Sequence, residues 1–179
     1  MPRATIICGT ADTEGMTAAM CDRARIFLLE RKFEVSLILP SELEISHCRD
    51  CGRCERGGCV IDDDMSAVMD AFGASDVLVL ATPIHFSSVS SVLKTVMDRF
   101  QPFWYKKGSP RPRFCFSLMC GGSKEPDFAT AERTIRAFCI MLGMEYLGSA
   151  KVKDTDTDRT LDETELVHAL WGITAGMGL

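Results

Sequence analysis

The sequence predicts a doubly wound α/β sandwich, in which helices cover both faces of a five-stranded parallel sheet. Three observations predict this class. Short apolar, β-branched runs alternate along the chain with longer segments of helical periodicity. The length of 179 residues suits one domain with one sizeable core. Apolar residues make up 46% and charged residues 25% of the chain, as in an ordinary globular protein.

Each predicted strand is a short apolar run that ends near a turn residue. The first run stops at Gly9, the second stops at Pro40, and the fourth stops just before Gly121. The five predicted strands are Arg3–Cys8, Glu34–Leu39, Asp76–Ala81, Arg113–Met119 and Met144–Ala150.

The segments between the strands carry apolar side chains at helical spacing. The last helix is predicted to begin at a capping box of Asp162 and Glu165 and to run to about Thr174. The other four apolar stripes lie within Met16–Leu28, Met65–Phe72, Val89–Phe100 and Phe128–Leu142.

Composition argues against several classes of function. A net charge of −5 offers no general basic face for nucleic acid, and no run approaches the roughly 20 apolar residues of a membrane span. The N-terminus lacks the long apolar stretch and cleavage site of a secretory signal. We therefore expect a cytoplasmic protein without nucleic-acid or membrane partners, folded as one domain over residues 1–179 with a cysteine-rich loop at 47–60.

In sheets of this kind, ligands bind beyond the carboxyl ends of the strands. The first loop there carries Thr10, Thr13 and Thr17, whose hydroxyls and backbone N–H groups at a helix N-terminus suit an anion. Ordinary helix capping by these threonines is the alternative, and the loop alone leaves both open. The polar segment Lys151–Thr160 is interpreted as a solvated connection. The three loops expected to form the site are 9–17, 82–88 and 120–124.

The second loop leaves the third strand at Pro83, which fixes the direction of the backbone. His85 and Phe86 are then expected at the sheet edge, where a flat ligand would rest. Packing is the alternative for a single histidine beside an aromatic ring. Cys120 begins the third loop, and for it packing is expected over contact with the flat ligand.

Four of the nine cysteines lie within twelve residues, spaced C-x2-C-x2-C-x4-C: Cys48, Cys51, Cys54 and Cys59. The spacing is near the C-x2-C-x2-C-x3-C-P run with which bacterial ferredoxins bind iron–sulfur clusters, and it favours a [4Fe–4S] cluster. Structural zinc is a second possibility, although zinc sites more often use two C-x2-C units on a longer spacer. Free thiols without metal are a third, and a disulfide is disfavoured in a reducing compartment. The remaining cysteines expected in the core are Cys8, Cys21, Cys115 and Cys139.

Three segments together resemble a known family. GTADTEGMT resembles the flavodoxin-type phosphate loop Gly-Ser-x-Arg-x-x-Gly-x-Thr, and ATPIHFSSVSSVLKTVMDRF resembles Ser-Pro-x-Tyr-Phe-x-x-x-Ser-x-x-Leu-Lys-x-x-x-Asp-Arg. Cys59–Met65 is similar to the family pattern Cys-x-x-x-Asp-Asp-Met. From Ala4 to about Gly148 the chain resembles the NAD(P)H-dependent FMN reductase-like branch of the flavodoxin superfamily, and more narrowly the iron–sulfur flavoproteins of anaerobes.

This resemblance implies a flavodoxin-like fold and a set of FMN contacts. Asp12 stands where the family has arginine, and a carboxylate repels a phosphate dianion unless it points away. His85 replaces a tyrosine and adds a group that titrates near neutral pH. The implied FMN set is Thr10, Asp12, Thr13, Gly15, Met16 and Thr17 for the phosphate, Pro83, Ile84, His85 and Phe86 for the isoalloxazine, and Gly121 and Gly122 for its pyrimidine side.

The function expected from these features is electron transfer. FMN and a [4Fe–4S] cluster would couple a one-electron, ferredoxin-like donor to a two-electron, small-molecule or flavin acceptor. One alternative is a cluster-free reductase of FMN or quinone that takes hydride from NAD(P)H. Another is a non-catalytic, zinc- or partner-binding module on the same fold. No catalytic side chain is assigned. The aromatic residues Trp104 and Tyr105, on a predicted loop, indicate a homodimer or a larger homo-oligomer. A satellite core cluster within one subunit is the alternative.

Overall fold

The computed structural model describes residues 1–106 and 108–178. Five parallel strands lie in the order β2-β1-β3-β5-β6, and the short β4 pairs antiparallel with the end of β3. The strand order reverses between β1 and β3, which is where doubly wound sheets bind ligands. The predicted parallel sandwich is confirmed, with β4 as an addition. The strands are β1 (Arg3–Cys8), β2 (Glu34–Ile38), β3 (Val77–His85), β4 (Ser88–Val89), β5 (Phe114–Cys120) and β6 (Glu145–Val152).

Successive side chains of the central strands enter two separate apolar layers, because side chains alternate across a strand. Ile6 packs into the layer beneath α1 and α6, and Ile7 packs into the layer beneath α2, α3 and α5. The four cysteines expected in the core are confirmed as buried. The helices are α1 (Met16–Glu30), α2 (Met65–Gly73), α3 (Ser91–Asp98), α4 (Gln101–Tyr105), α5 (Ala129–Leu142) and α6 (Glu163–Thr174).

The third strand is longer than predicted. It was expected to end at Ala81, but it runs on to His85, because Ile84 pairs with Val89 and His85 pairs with Ser88 in a hairpin. The hairpin turn is Phe86–Ser87, and both residues have positive φ, 50° and 60°. The predicted loop 82–88 is therefore mostly a strand, and its turn holds two non-glycine residues in a conformation that L-residues rarely adopt.

The helix predicted over Val89–Phe100 is two helices. α3 ends at Asp98, and α4 begins at Gln101 with a proline in its first turn, where the missing N–H is tolerated. The prediction that Trp104 and Tyr105 lie on a loop is wrong, since both belong to α4.

The end of the chain agrees with its predicted capping signal. The Asp162 carboxylate accepts a hydrogen bond of 2.9 Å from the backbone N–H of Glu165, which confirms the start of α6. Within the described ranges, the helices are all too short or too polar to cross a bilayer.

Candidate functional site

A cleft of about 710 Å³ opens at the carboxyl ends of the strands, beside the point where the strand order reverses. A second cavity of about 570 Å³ adjoins it and shares Pro83, His85 and Cys120 with it. The three loops predicted to form the site meet here. The loop after β6 joins them and contributes Thr155, Asp156 and Arg159.

The first loop is held tightly against the sheet at Gly9. Its N–H donates to the carbonyl of Ala81 at 2.8 Å, and its carbonyl accepts from the Ser90 hydroxyl. A Cβ atom at Gly9 would lie 2.6 Å from both the Ala81 oxygen and the Leu93 Cβ, closer than atoms pack. The position therefore requires glycine, and the close approach fixes where the loop leaves β1.

Asp12 turns back into its own loop. One carboxylate oxygen accepts from the Glu14 N–H at 3.1 Å, and the Asp12 N–H donates to the Thr10 hydroxyl at 3.1 Å. The other oxygen lies 2.6 Å from the position that a Gly15 Cβ would occupy. The carboxylate is thus engaged within the loop, in an Asx-type turn that precedes α1.

The N-terminus of α1 faces this cleft with free donors. Because Met16 and Thr17 begin the helix, their N–H groups have no carbonyl partner in a preceding turn. The N-cap residue, Gly15, has no side chain that could accept from them. Both residues line the cleft. Exposed N–H groups and the positive end of a helix dipole make this a favourable position for an anion.

The Thr17 hydroxyl is engaged with another side chain of the cleft lining. Thr17 is only 3% exposed, and its Oγ1 lies 3.0 Å from Sγ of Cys120, which lines the same cleft. Burial raises the pKa of the Cys120 thiol, and the hydrogen bond with Thr17 offsets only part of that rise, so the thiol at the cleft floor stays neutral.

The β3–β4 hairpin forms one wall. Pro83 and His85 line both cavities, and Ile84 lines the second. Phe86, at the tip of the hairpin, is fully exposed to solvent. Neither Phe86 nor Thr13 belongs to the described linings of the two cavities, although both were expected in the site.

Gly121 and Gly122 form the floor of the second cavity, where two loops are joined by backbone hydrogen bonds. The N–H groups of Thr155 and Asp156 donate to the carbonyls of Gly121 and Gly122 at 3.2 and 3.1 Å. A Cβ at Gly121 would lie 2.3 Å from the Pro126 ring, and one at Gly122 would lie 2.3 Å from the Asp156 carboxylate. A side chain is excluded at Gly121 by the Pro126 ring, and at Gly122 it would require the exposed Asp156 side chain to move, so both positions present backbone to the cavity.

The loop after β6 was predicted to be a solvated connection, and that interpretation is incomplete. Thr155, Asp156 and Arg159 line the cleft. The polar sequence of this loop gives no local signal of a site. The signal that was available is topological: β6 continues the parallel sheet beyond β5, so its carboxyl end must lie at the same edge.

The cysteine loop is closed at its base by a buried ion pair. Arg99 is 2% exposed and binds Asp63 through two bonds, Nη1–Oδ2 at 2.7 Å and Nη2–Oδ1 at 2.9 Å. Arg99 also donates to the Ser46 carbonyl at 2.6 Å, and Asp63 accepts from the Ser46 N–H at 2.9 Å. Residues on either side of the four cysteines are thereby tied to the end of α3.

The other three predicted ligand cysteines act on Cys54. Burial raises the pKa of Cys54, and the charges of Cys59, Cys48 and Cys51 raise it further, so these thiols lie within electrostatic reach of Cys54. Positive φ angles at Asp50, Gly52, Gly57 and Gly58 mark tight turns in the loop that carries them. Thiolates are the donors that iron–sulfur clusters and zinc prefer, so the donor set fits either group. In residues 1–106 and 108–178, however, no group of three potential ligand side chains is arranged at metal-binding geometry.

The fold defines the class: a flavodoxin-like α/β protein, with a cleft beside the point where the strand order reverses. Residues 2–157 match the family described as NADPH-dependent FMN reductase, and the chain belongs to that family.

Relatives and solved structures agree with this family. The chain is 32% identical over 105 residues to an iron–sulfur flavoprotein of Archaeoglobus fulgidus, covering 58% of this chain and 48% of that protein. It is 28% identical over 120 residues to an iron–sulfur flavoprotein of Methanosarcina thermophila, covering 66% and 63%. The matches thus span about half to two thirds of these relatives.

The solved structures share the fold at low identity. An apo NADH:FMN oxidoreductase superposes with a TM-score of 0.70 at 20% identity, covering 98% of this chain and 89% of that one. The NAD(P)H:quinone oxidoreductase of Methanothermobacter marburgensis gives 0.73 at 13% identity, covering 97% and 94%.

Proposed function

We propose that this protein binds FMN in the cleft at the switch point and acts as a flavin-dependent oxidoreductase. The observation that carries the proposal is the pairing of free N–H donors at α1 with a glycine floor beneath the adjoining cavity. The first suits a phosphate and the second suits a flat ring. Membership of the FMN reductase family supports the same ligand.

The phosphate would rest on the backbone N–H groups of Met16 and Thr17, beside Gly15 and near the Thr10 side chain. Asp12 would sit beside it with its carboxylate turned toward Glu14. Thr13 lies in the same loop, and its contact with the phosphate is assigned by resemblance.

The isoalloxazine would lie along Pro83, Ile84 and His85 and over the bare backbone of Gly121 and Gly122. Phe86, exposed at the tip of the hairpin, would cover the ring from above. When bound, FMN supplies exchange of one or two electrons, and these residues orient the ring and limit its contact with water.

The finer proposal concerns the four cysteines. We propose that Cys48, Cys51, Cys54 and Cys59 hold a [4Fe–4S] cluster that passes single electrons between a ferredoxin-like donor and FMN. The proximity of the four thiols supports it, as do the relatives named iron–sulfur flavoproteins. A cluster needs four thiolate ligands, and this loop offers four.

A cluster-free reductase is the second candidate. In the part of the chain that the structure describes, no three ligand side chains are arranged for a metal, and this favours it. Such an enzyme would take hydride from NAD(P)H and pass it to a small-molecule or flavin acceptor. A zinc-binding module without catalysis is the third candidate, and it would bind no flavin.

The visible absorption spectrum of anaerobically purified protein separates these candidates. Flavin bands with broad iron–sulfur absorption support the cluster, and flavin bands alone support the cluster-free reductase. A spectrum that contains neither flavin bands nor iron–sulfur absorption supports the zinc module. Replacing Cys54 with alanine should lower iron and acid-labile sulfide together while FMN remains. Cys21→Ala is the matched control, because Cys21 is buried in the core, and it should leave the iron content unaltered. Reconstituted wild type without iron would rule out the cluster.

We also propose a single domain that assembles as a homodimer or larger homo-oligomer in the cytoplasm. Trp104 and Tyr105 on α4 are each 44% exposed, and contiguous exposed aromatic surface is typical of interfaces. Light scattering after size-exclusion chromatography tests this, and a monomer at working concentration would contradict it.

A further inference from the structure

The cleft carries an unusual distribution of charge for a phosphate site. Asp12, Glu14 and Asp156 contribute carboxylates to its lining, and Arg159 contributes the one lysine or arginine among the described lining residues. Carboxylates near a phosphate dianion weaken its binding, and a cation in the same lining would offset this. Position 12, where related phosphate loops have arginine, holds an acid instead.

Arg159 is available for this role. Among the residues that the structure describes, none forms an ion pair with it. Hydrogen bonds order the loop that carries it. Asp154 donates from its N–H to the Ser123 carbonyl at 2.8 Å, and within the loop the Thr160 N–H donates to the Asp158 carboxylate at 2.8 Å. Arg159 therefore lines the cleft from an ordered loop and has no ion-pair partner among the described residues.

We propose that Arg159 is the phosphate-recognising cation of this cleft, supplied by the loop after β6 in place of a basic residue in the β1–α1 loop. The inference rests on the proposed FMN site. A guanidinium binds phosphate oxygens through charge-assisted hydrogen bonds, whereas the carboxylate of Asp12 is occupied by the Glu14 N–H. The phosphate that Arg159 contacts is the 5′-phosphate of FMN, because the donors of α1 line the same cleft.

The test compares FMN with riboflavin, which lacks the phosphate. Apo-protein is titrated with each flavin by fluorescence quenching at low and high salt. Arg159→Gln should weaken FMN binding by about tenfold to a hundredfold, the usual loss of a hydrogen bond to a charged group, and should leave riboflavin binding unchanged. The FMN affinity of Arg159→Lys should lie between those of wild type and Arg159→Gln. The wild-type preference for FMN should shrink as salt rises.

Lys153→Gln is the matched control, because Lys153 lies on the same loop but pairs with Glu125 and does not line the cleft. It should bind FMN as wild type does. Equal FMN affinities for wild type and Arg159→Gln would overturn the inference while leaving the FMN site intact. A variant that binds FMN normally but loses preference for NADPH over NADH would also overturn it, since Arg159 would then contact the second substrate. Wild type that binds neither flavin would overturn the proposed function itself.

Discussion

The ion pair at the base of the cysteine loop should be the most sensitive point of the fold outside the apolar layers. Replacing Asp63 with asparagine leaves Arg99 charged, with its side chain only 1% exposed and its counter-ion gone. Arg99 Nε is already buried without a hydrogen-bond partner among the described residues, so the guanidinium would keep few hydrogen bonds in this variant. Removing one member of such a pair costs about 3–5 kcal/mol of unfolding free energy.

The same ion pair makes the free energy of unfolding depend on pH, and this dependence gives a second magnitude for its contribution. The Arg99 hydrogen bonds, helped by the N–H groups of Ser46 and Met65, lower the pKa of Asp63 from 3.8 to about 2. A lowered carboxyl pKa stabilises the fold above the unfolded value, and this contribution is lost as pH falls from about 4 to 2. The shift corresponds to about 2 kcal/mol. Wild type should lose this amount across that window, and Asp63→Asn should not.

Urea unfolding at pH 7 and at steps down to pH 2.5 measures both effects. Asp98→Asn is the matched control: Asp98 adjoins Arg99 in sequence, but its pair with Lys94 is exposed, and it should change stability by less than about 1 kcal/mol. Arg99→Met should destabilise less than Asp63→Asn, because Asp63 retains two backbone donors. The double variant should recover part of the loss. A stability of Asp63→Asn within about 1 kcal/mol of wild type would refute the reasoning.

The close contacts in the cleft yield three further predictions. Gly9→Ala should lower stability by about 1–3 kcal/mol in thermal unfolding, because its Cβ meets backbone and a core side chain; an unchanged melting temperature would contradict the geometry. Gly122→Ala should destabilise less, since the Asp156 side chain is exposed and can rotate away, but it should weaken flavin binding in a fluorescence titration. Thr17→Val should keep FMN affinity within about threefold, because valine retains the backbone N–H; a loss above tenfold would show that the hydroxyl contacts phosphate.

Local patterns were sufficient to predict the sheet, because burial on both faces leaves a signal in each strand. Ile6 and Ile7 are both apolar because each faces a different buried layer, and such runs are readily recognised as parallel strands. The hairpin at Phe86–Ser87 had no such signal. Type I′ turns favour glycine or asparagine, and neither is present.

Contacts between distant parts of the chain could not be predicted from local sequence patterns. Arginine is almost never fully buried, so nothing in the sequence around Arg99 indicates that it reaches back to Asp63. Arg159 lies in a polar loop and enters the cleft only because of where β6 stands in the sheet. The thiols were recognisable from their spacing, but their spatial relation to the cleft depends on packing.

That relation is set by α3, whose two ends hold the two candidate centres. At the N-terminus of α3, the Ser90 hydroxyl caps the helix by accepting from the Leu93 N–H. The same hydroxyl donates to the carbonyl of Gly9, at the start of the β1–α1 loop. At the C-terminus, Arg99 closes the cysteine loop through Asp63. A helix of eight residues is about 12 Å long, and its hydrogen-bonded backbone does not shorten or lengthen easily. The cleft and the cysteine loop are therefore attached to opposite ends of one rigid element. If FMN and a cluster bind there as proposed, this helix would keep the two groups at a fixed spacing, which electron exchange between them requires, and the buried Arg99–Asp63 pair would hold the cluster end in place.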